Sequence, residues 1–219
     1  MRSGRNRSSE VDREPYNLKR RILKTSPLMN PLEQHLTQYA AYHRDRRNIA
    51  THFAGIPMIV VAIMSFLARP AVPLAELPFL ELSGGPLPGA AMLETALGLS
   101  GPGITPALAL CLAGSLYYLR LDLRFGLSMS ILNVLALWLG LQIAALDWSH
   151  WLGWSLGIFI GGWALQALGH YWEGRKPAFM DDIRGLIIGP LFVVAEAGFA
   201  LGFRRQVAMR IEESAGPTR

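Results

Sequence analysis

The chain has 219 residues, 51% apolar and only 17% charged, against roughly 25% charged in an ordinary soluble domain. Its net charge of +5 is unevenly spread: residues 1–50 hold 11 of the 21 basic side chains and 5 of the 16 acidic ones, while 51–203 form a nearly continuous apolar field. This excludes a disordered chain, a disulfide scaffold (Cys111 is alone) and an ordinary soluble α/β enzyme, and predicts a small polytopic membrane protein.

Residues 1–30 read as a basic disordered tail without the apolar core of a signal peptide. Residues 31–203 read as one membrane domain and 204–219 as a polar basic tail. Basic residues flank apolar segments and no nucleic-acid motif is present, so the expected partners are membrane lipids and not nucleic acid. Asn30 and Pro31 suit a helix start, and Leu32, His35, Leu36, Tyr39, Tyr42 and His43 recur at helical spacing. The pattern predicts an amphipathic interfacial helix over 31–47.

The first predicted span is Ile49–Ala68, 20 residues with Pro57 inside it. The proline-rich stretch 69–103 reads as a loop, with a short interfacial helix or a re-entrant segment near 88–99. Further spans are expected at Ile104–Leu119, Phe125–Leu146, Trp151–Leu168 and Gly185–Gly202. In the fourth, Gly153, Gly157, Gly161 and Gly162 fall on one side, permitting close helix contact. The expected fold is an all-α transmembrane bundle of four or five spans with no sheet. The positive-inside rule places the N-terminus in the cytoplasm, together with 120–124 and 169–184. Arg204, Arg205 and Arg210 would then end outside, against the rule. A re-entrant last segment, or entry of 80–100 into the membrane, would remove that conflict.

This topology gathers chemistry. His35, His43, His52 and His170 fall at one membrane edge, with Glu173 one helical turn beyond His170, while His150 falls on the opposite side. Histidine plus carboxylate in one layer suits a non-haem Fe(II) site with open positions. His43 and His52 are nine residues apart, which on an unbroken helix puts them on opposite faces about 13 Å apart along the axis. A shared metal therefore requires a break, expected in RDRRN (44–48) with Asn48 as helix cap. Gln166, one turn before His170, is expected to orient it by a hydrogen bond. Glu196, an acid inside an apolar run, is a functional candidate by default. It lies far from the histidines if the fifth segment crosses fully, and near them if that segment is re-entrant.

YHRDRRNIATHFAGIP (42–57), WALQALGHYWEGRKPAFMDDI (163–183) and PLFVVAE (190–196) resemble three signatures of the Mpo1-like (DUF962) family. The resemblance covers roughly 31–203. It implies a membrane-embedded Fe(II)-dependent dioxygenase that shortens 2-hydroxy fatty acids by one carbon, with 2-hydroxy fatty acid and dioxygen as substrates. Carried over by position, it makes His43, His52 and His170 the metal ligands and Glu173 a ligand or a support. Asn48 becomes structural or orienting, and His35 has no place in the motif. Arg44, Arg47 or Arg175 would meet the substrate carboxylate. Arg46 stands where members often carry proline. The apolar spans and basic N-terminus are those of an integral protein of a bacterial inner membrane. Two other readings stay open: a small transporter or proton-coupled carrier built on Glu196 and the glycine-rich fourth span, and a non-enzymatic membrane assembly protein with a structural metal.

Overall fold

Asn30 opens the first helix as a full capping box. Its Oδ1 accepts the Glu33 N–H at 2.9 Å, the Glu33 carboxylate accepts the Asn30 N–H at 3.3 Å, and Pro31 takes the first helical position. The computed structural model describes residues 29–69, 72–73 and 103–219. Most of the expected N-terminal tail and of the proline-rich loop lies outside these.

Helix α1 is Pro31–Ala40, shorter than the expected 31–47. Its end tightens into turn bonds, Tyr42 N–H to Tyr39 O and His43 N–H to Ala40 O, both 3.0 Å, and the chain leaves the helix. Helix α2 follows at Arg46–Ala68, then α3 (Pro106–Leu121), α4 (Leu123–Ala144), α5 (Trp148–Glu173), a 3-10 turn at Ala178–Met180, α6 (Arg184–Ala200) and α7 (Arg205–Ala215). No strand was expected. A two-residue antiparallel ladder nonetheless joins β1 (Val72–Pro73) to β2 (Gly103–Ile104). It adds no layer, and the fold is all-α.

Three helices are long and apolar enough to cross a membrane: α2 with 23 residues, α4 with 22 and α5 with 26. Helix α3 is apolar but has only 16 residues. Helices α6 and α7 qualify only as a pair bent by 115°, so among the described residues the count is three, or four with the bent pair. The bend passes through left-handed Gly202 (φ 84°) and Arg204 (φ 52°). Helix α5 also exceeds its expected length. Nothing in 169–173 breaks it before Gly174, whose φ of +68° ends it in the usual way for glycine. That extension carries the helix past the expected span end at Leu168 and puts His170 and Glu173 in its last turn.

The chain divides into two units, residues 1–49 with 170–219, and residues 50–169. The divisions fall inside α2 and α5, which are unbroken there. In the first unit, α1 packs on α6 and α7. Leu32, Leu36, Tyr39 and Ala40 meet a buried set that includes Leu191, Phe192, Val207 and Ile211. Glu33 is 2% exposed yet paired, with Oε1 2.8 Å from Arg210 Nη1. The expected polar tail is thus mostly helix α7, amphipathic and docked on α1.

In the second unit, Asp122 caps α4 by accepting the Arg124 and Phe125 N–H groups, and α3 and α4 form a hairpin. Met64, Ala68, Ala107, Cys111, Ala136 and Leu137 form its apolar cluster. Helix α5 approaches α2 at glycines: a Cβ on Gly162 would lie 2.7 Å from Ile59, and one on Gly55 2.8 Å from Gly162 O. Gly153 and Gly157 share the stripe but nothing lies within 4 Å of their Cβ positions, so only half of the expected glycine face is used. A buried Ser65–Ser155 hydrogen bond of 2.7 Å adds a polar tie. Only 33% of α4's most apolar window and 22% of α5's is buried, and Ile131, Leu135, Trp154 and Ile160 face outward. Apolar helices with apolar outer faces are a surface for lipid, and the protein is membrane-associated.

Candidate metal centre

The residues between α1 and α2 set the site. Asp45, not Asn48, caps α2: its Oδ1 accepts the Arg47 N–H at 2.8 Å. The Arg47 guanidinium grips the same carboxylate at 2.8–3.1 Å and holds its pKa down to about 2. Asn48 therefore falls inside the first turn, where its amide donates to Glu173 Oε2 at 3.1 Å. The expected break exists, but it spans 41–45, ahead of the expected cap.

The break lets His43 turn away from the line of α2. Its ring is fully buried and stacks on Tyr39, centroids 4.2 Å apart and planes 2° from parallel. Phe192 of α6 lies 5.5 Å away. Nδ1 is 2.8 Å from Tyr39 O. With Nδ1–H donating there, Nε2 keeps its lone pair, the tautomer a metal needs. His170 meets His43 edge-on at 4.9 Å between ring centroids. His52 stands on α2 less than two turns after Arg46 and is 1% exposed. Each of His43, His52 and His170 offers one nitrogen, and these atoms all lie within 4.8 Å of one another. Metal–nitrogen bonds of about 2.1 Å impose spacings of roughly 3–3.5 Å, so this buried cluster is capable of holding a metal ion. The donor set, three imidazoles, suits iron, zinc, copper or nickel.

Glu173 is not part of that group. Its buried Oε2 accepts three N–H donors: Arg44 N at 2.9 Å, Asp45 N at 2.7 Å and Asn48 Nδ2. Its Oε1 lies 3.6 Å from the Arg219 guanidinium. The carboxylate thus clamps the segment carrying His43 to the helix turn carrying His170. Gln166 is buried, but its amide nitrogen has no hydrogen-bond partner among the described residues. It abuts Gly55, where a Cβ would lie 2.9 Å from Nε2, instead of orienting His170 as expected.

Glu196 sits one turn past Phe192, with Oε1 3.8 Å from Arg44 Nη2. It therefore lies with the segment that carries His43. Arg44 is a buried wedge and not a free carboxylate binder. Its Nε donates to Ala40 O and His43 O, and its Nη1 to Gly216 O at 2.9 Å. Burial pushes its pKa down, and Glu196 leads the opposing carboxylates. Arg47 is engaged with Asp45, and Arg175 donates to Ala41 O at 2.6 Å. His35 lies apart from the three histidines, on a surface cleft. His150 is exposed and pairs with Asp147.

Two features escaped the sequence reading. Tyr39 looked like one more apolar-face residue, although its spacing of four from His43 is a stacking distance on a helix. The 216–219 segment looked like a solvated tail. Instead Arg219 N–H donates to Arg44 O at 2.8 Å and Arg219 O accepts the Arg46 N–H at 3.0 Å. Arg46 is the first residue of α2, a position that suits proline. A proline there could not make this bond.

Fold and site together define an all-α membrane protein with a buried three-histidine centre. The family model for 2-hydroxy-palmitic acid dioxygenase Mpo1-like proteins matches residues 29–201, and the chain belongs to this family. It is similar to the 2-hydroxy-palmitic acid dioxygenase MPO1 of Saccharomyces cerevisiae, 26% identical over 185 residues that cover 83% of this chain and 87% of that one. No solved structure matches.

Proposed function

We propose that this protein is an Fe(II)-dependent dioxygenase that cleaves 2-hydroxy fatty acids between C1 and C2. The observation that carries the reading is the ligand set: three buried imidazoles with the nearby carboxylate diverted into a clamp. Three neutral ligands leave the charge of a divalent cation uncompensated in a buried site. A 2-hydroxy carboxylate brings both a negative charge and two chelating oxygens, so the protein's donor set and the substrate complement each other. When bound, the metal supplies Lewis-acid and oxygen chemistry at the positions the histidines leave open.

The reaction balances without an external reductant. 2-Hydroxypalmitic acid plus one dioxygen gives pentadecanoic acid, carbon dioxide and water. The C1–C2 bond breaks, C2 is oxidised from carbinol to carboxyl, and dioxygen is reduced. The chain's own part is to hold the site. Tyr39 fixes the His43 tautomer through its carbonyl and the ring plane through stacking. Phe192 helps exclude water from the same ring. Glu173 is a positioning residue that fixes the 43–48 segment. Two substrates test the chelate: Fe(II)-loaded protein should convert 2-hydroxypalmitate to pentadecanoate and leave 3-hydroxypalmitate untouched. Equal consumption of both would reject the reading.

The reading extends to topology. Arg44, Arg46 and Arg47 flank the start of α2, which supports a cytoplasmic N-terminus in a bacterial inner membrane. In a Cys111→Ser background, cysteines at Asn30 and Asp181 should react with an impermeant thiol reagent from one side and a cysteine at Ser149 from the other. Labelling of Asn30 and Asp181 from opposite sides would end this topology.

A further inference from the structure

The connector 41–45 carries His43 and lies outside both α1 and α2, so what holds it must come from elsewhere in the chain. Glu173 takes the N–H groups of Arg44 and Asp45. A second hold comes from a single residue. Arg219 N–H donates to Arg44 O at 2.8 Å, and Arg219 O accepts the Arg46 N–H at 3.0 Å, so the two bonds straddle Asp45. The Arg46 N–H opens α2 and has no acceptor within its own helix.

Two side-chain contacts reinforce this hold. Arg44 Nη1 donates to Gly216 O at 2.9 Å. The Arg219 guanidinium stands 3.6 Å from Glu173 Oε1, a buried oxygen with no hydrogen-bond partner among the described residues. Residues 216–219 therefore meet the connector at Arg44 and Arg46, and also meet the carboxylate that grips its other groups.

The local sequence explains how the segment arrives there. Helix α7 docks on α1 through buried Val207 and Ile211 and the Arg210–Glu33 ion pair. Gly216, at a φ of 86°, caps α7 with its N–H on Glu212 O, and Pro217 prevents the helix from continuing. The chain then leaves α7 at an angle only glycine adopts freely and runs onto the connector. All of this lies beyond residues 29–201, the part of the chain that matches the family model.

We propose that residues 216–219 are a positioning strap for the metal centre, fixing the connector and with it His43. Metal affinity then depends on a segment outside the family match. Arg219 is a positioning residue that acts through Arg44, Arg46 and Glu173 and touches no ligand nitrogen. The inference rests on the three-histidine cluster as a metal site, and only its turnover arm rests on the function proposed above.

The test uses Co(II) alone as the metal probe and amide exchange in metal-free protein, both in nanodiscs. Deleting 216–219 removes the three hydrogen bonds to Arg44 and Arg46, and exchange in 43–48 should quicken about tenfold while exchange in the α3–α4 hairpin stays unchanged. Co(II) should bind the deletion variant about tenfold more weakly, as loss of an outer support implies. Arg46→Pro is the independent variant: proline suits the first helical position, leaves 216–219 intact and removes one bond, so Co(II) binding should weaken about threefold. Arg219→Lys, which keeps the backbone bonds and the charge, should bind like wild type. Co(II) affinity and 43–48 exchange unchanged in both the deletion and Arg46→Pro would overturn the strap. Exchange quickened equally in the hairpin would also overturn it, since the segment would then support the fold at large. In turnover on 2-hydroxypalmitate, the deletion variant should need about tenfold more Fe(II) to reach half its maximum rate. A lower maximum at an unchanged Fe(II) requirement contradicts positioning. Absence of turnover in wild type would fault the proposed function, leaving Co(II) binding and amide exchange to decide the strap.

Discussion

Alanine in place of His170 should remove bound iron and abolish turnover on 2-hydroxypalmitate while leaving the protein folded. His170 is 7% exposed and in the last turn of α5, so the loss is of one ligand from three and not of a surface group. Losing a mere outer hydrogen bond costs roughly 10–100-fold in metal affinity, and losing a ligand costs more. The fold should persist because the clamp does not pass through the imidazole. Glu173 still accepts the Arg44 and Asp45 N–H groups when residue 170 is alanine. Metal-linked stability gives a second readout. A ligand at a thousand times its Kd stabilises the native state by about 4 kcal/mol. Wild type should therefore show a higher thermal midpoint with Fe(II), and His170→Ala should not respond. His150→Ala, at an exposed pair with Asp147, should respond like wild type. Full iron and full turnover in both His43→Ala and His170→Ala would place the site elsewhere.

Glu173→Ala should be the most damaging change outside the histidines. It strips the acceptor from three N–H donors in a buried setting, and each stranded donor costs about 1–3 kcal/mol. The segment 43–48 should loosen, lowering both the thermal midpoint and iron affinity. Glu173→Gln separates clamp from ligand. The amide oxygen can still face Arg44 N, Asp45 N and Asn48 Nδ2, leaving its NH2 toward the exposed Arg219. A clamp predicts that Gln keeps most of the iron and midpoint that Ala loses. Equal iron loss in Gln and Ala would make Glu173 a ligand.

The parts of the fold legible in the sequence are those fixed locally. Asn30, Pro31 and Glu33 specify the start of α1 within four residues, and the structure shows the full capping box. The apolar runs mark α2, α4 and α5 because lipid selects on length and composition. Boundaries set by tertiary contact were harder. Asp45 and Asn48 are both good caps, and the choice between them depends on Glu173, 125 residues from Asn48, drawing Asn48 into the first turn. Helix α7 looked polar because only Val207 and Ile211 are buried in it, and their partner face on α1 is remote in sequence. Within the site, no local spacing links His43 and His52 to His170. They meet because α2 and α5 have ends on one layer, which the span count and the family signatures suggested together. The role of Glu173 was open between ligand and support, since spacing places a carboxylate near a histidine without saying which donors reach it first.

The most direct test of the central claim is oxygen consumed per pentadecanoate formed, measured on purified wild type reconstituted anaerobically with Fe(II). The account predicts about one iron per chain, one dioxygen per pentadecanoate, and loss of both iron and product in His43→Ala, His52→Ala and His170→Ala. Pentadecanoate formed at an undiminished rate by protein stripped of iron, or by any of the three variants, would contradict it.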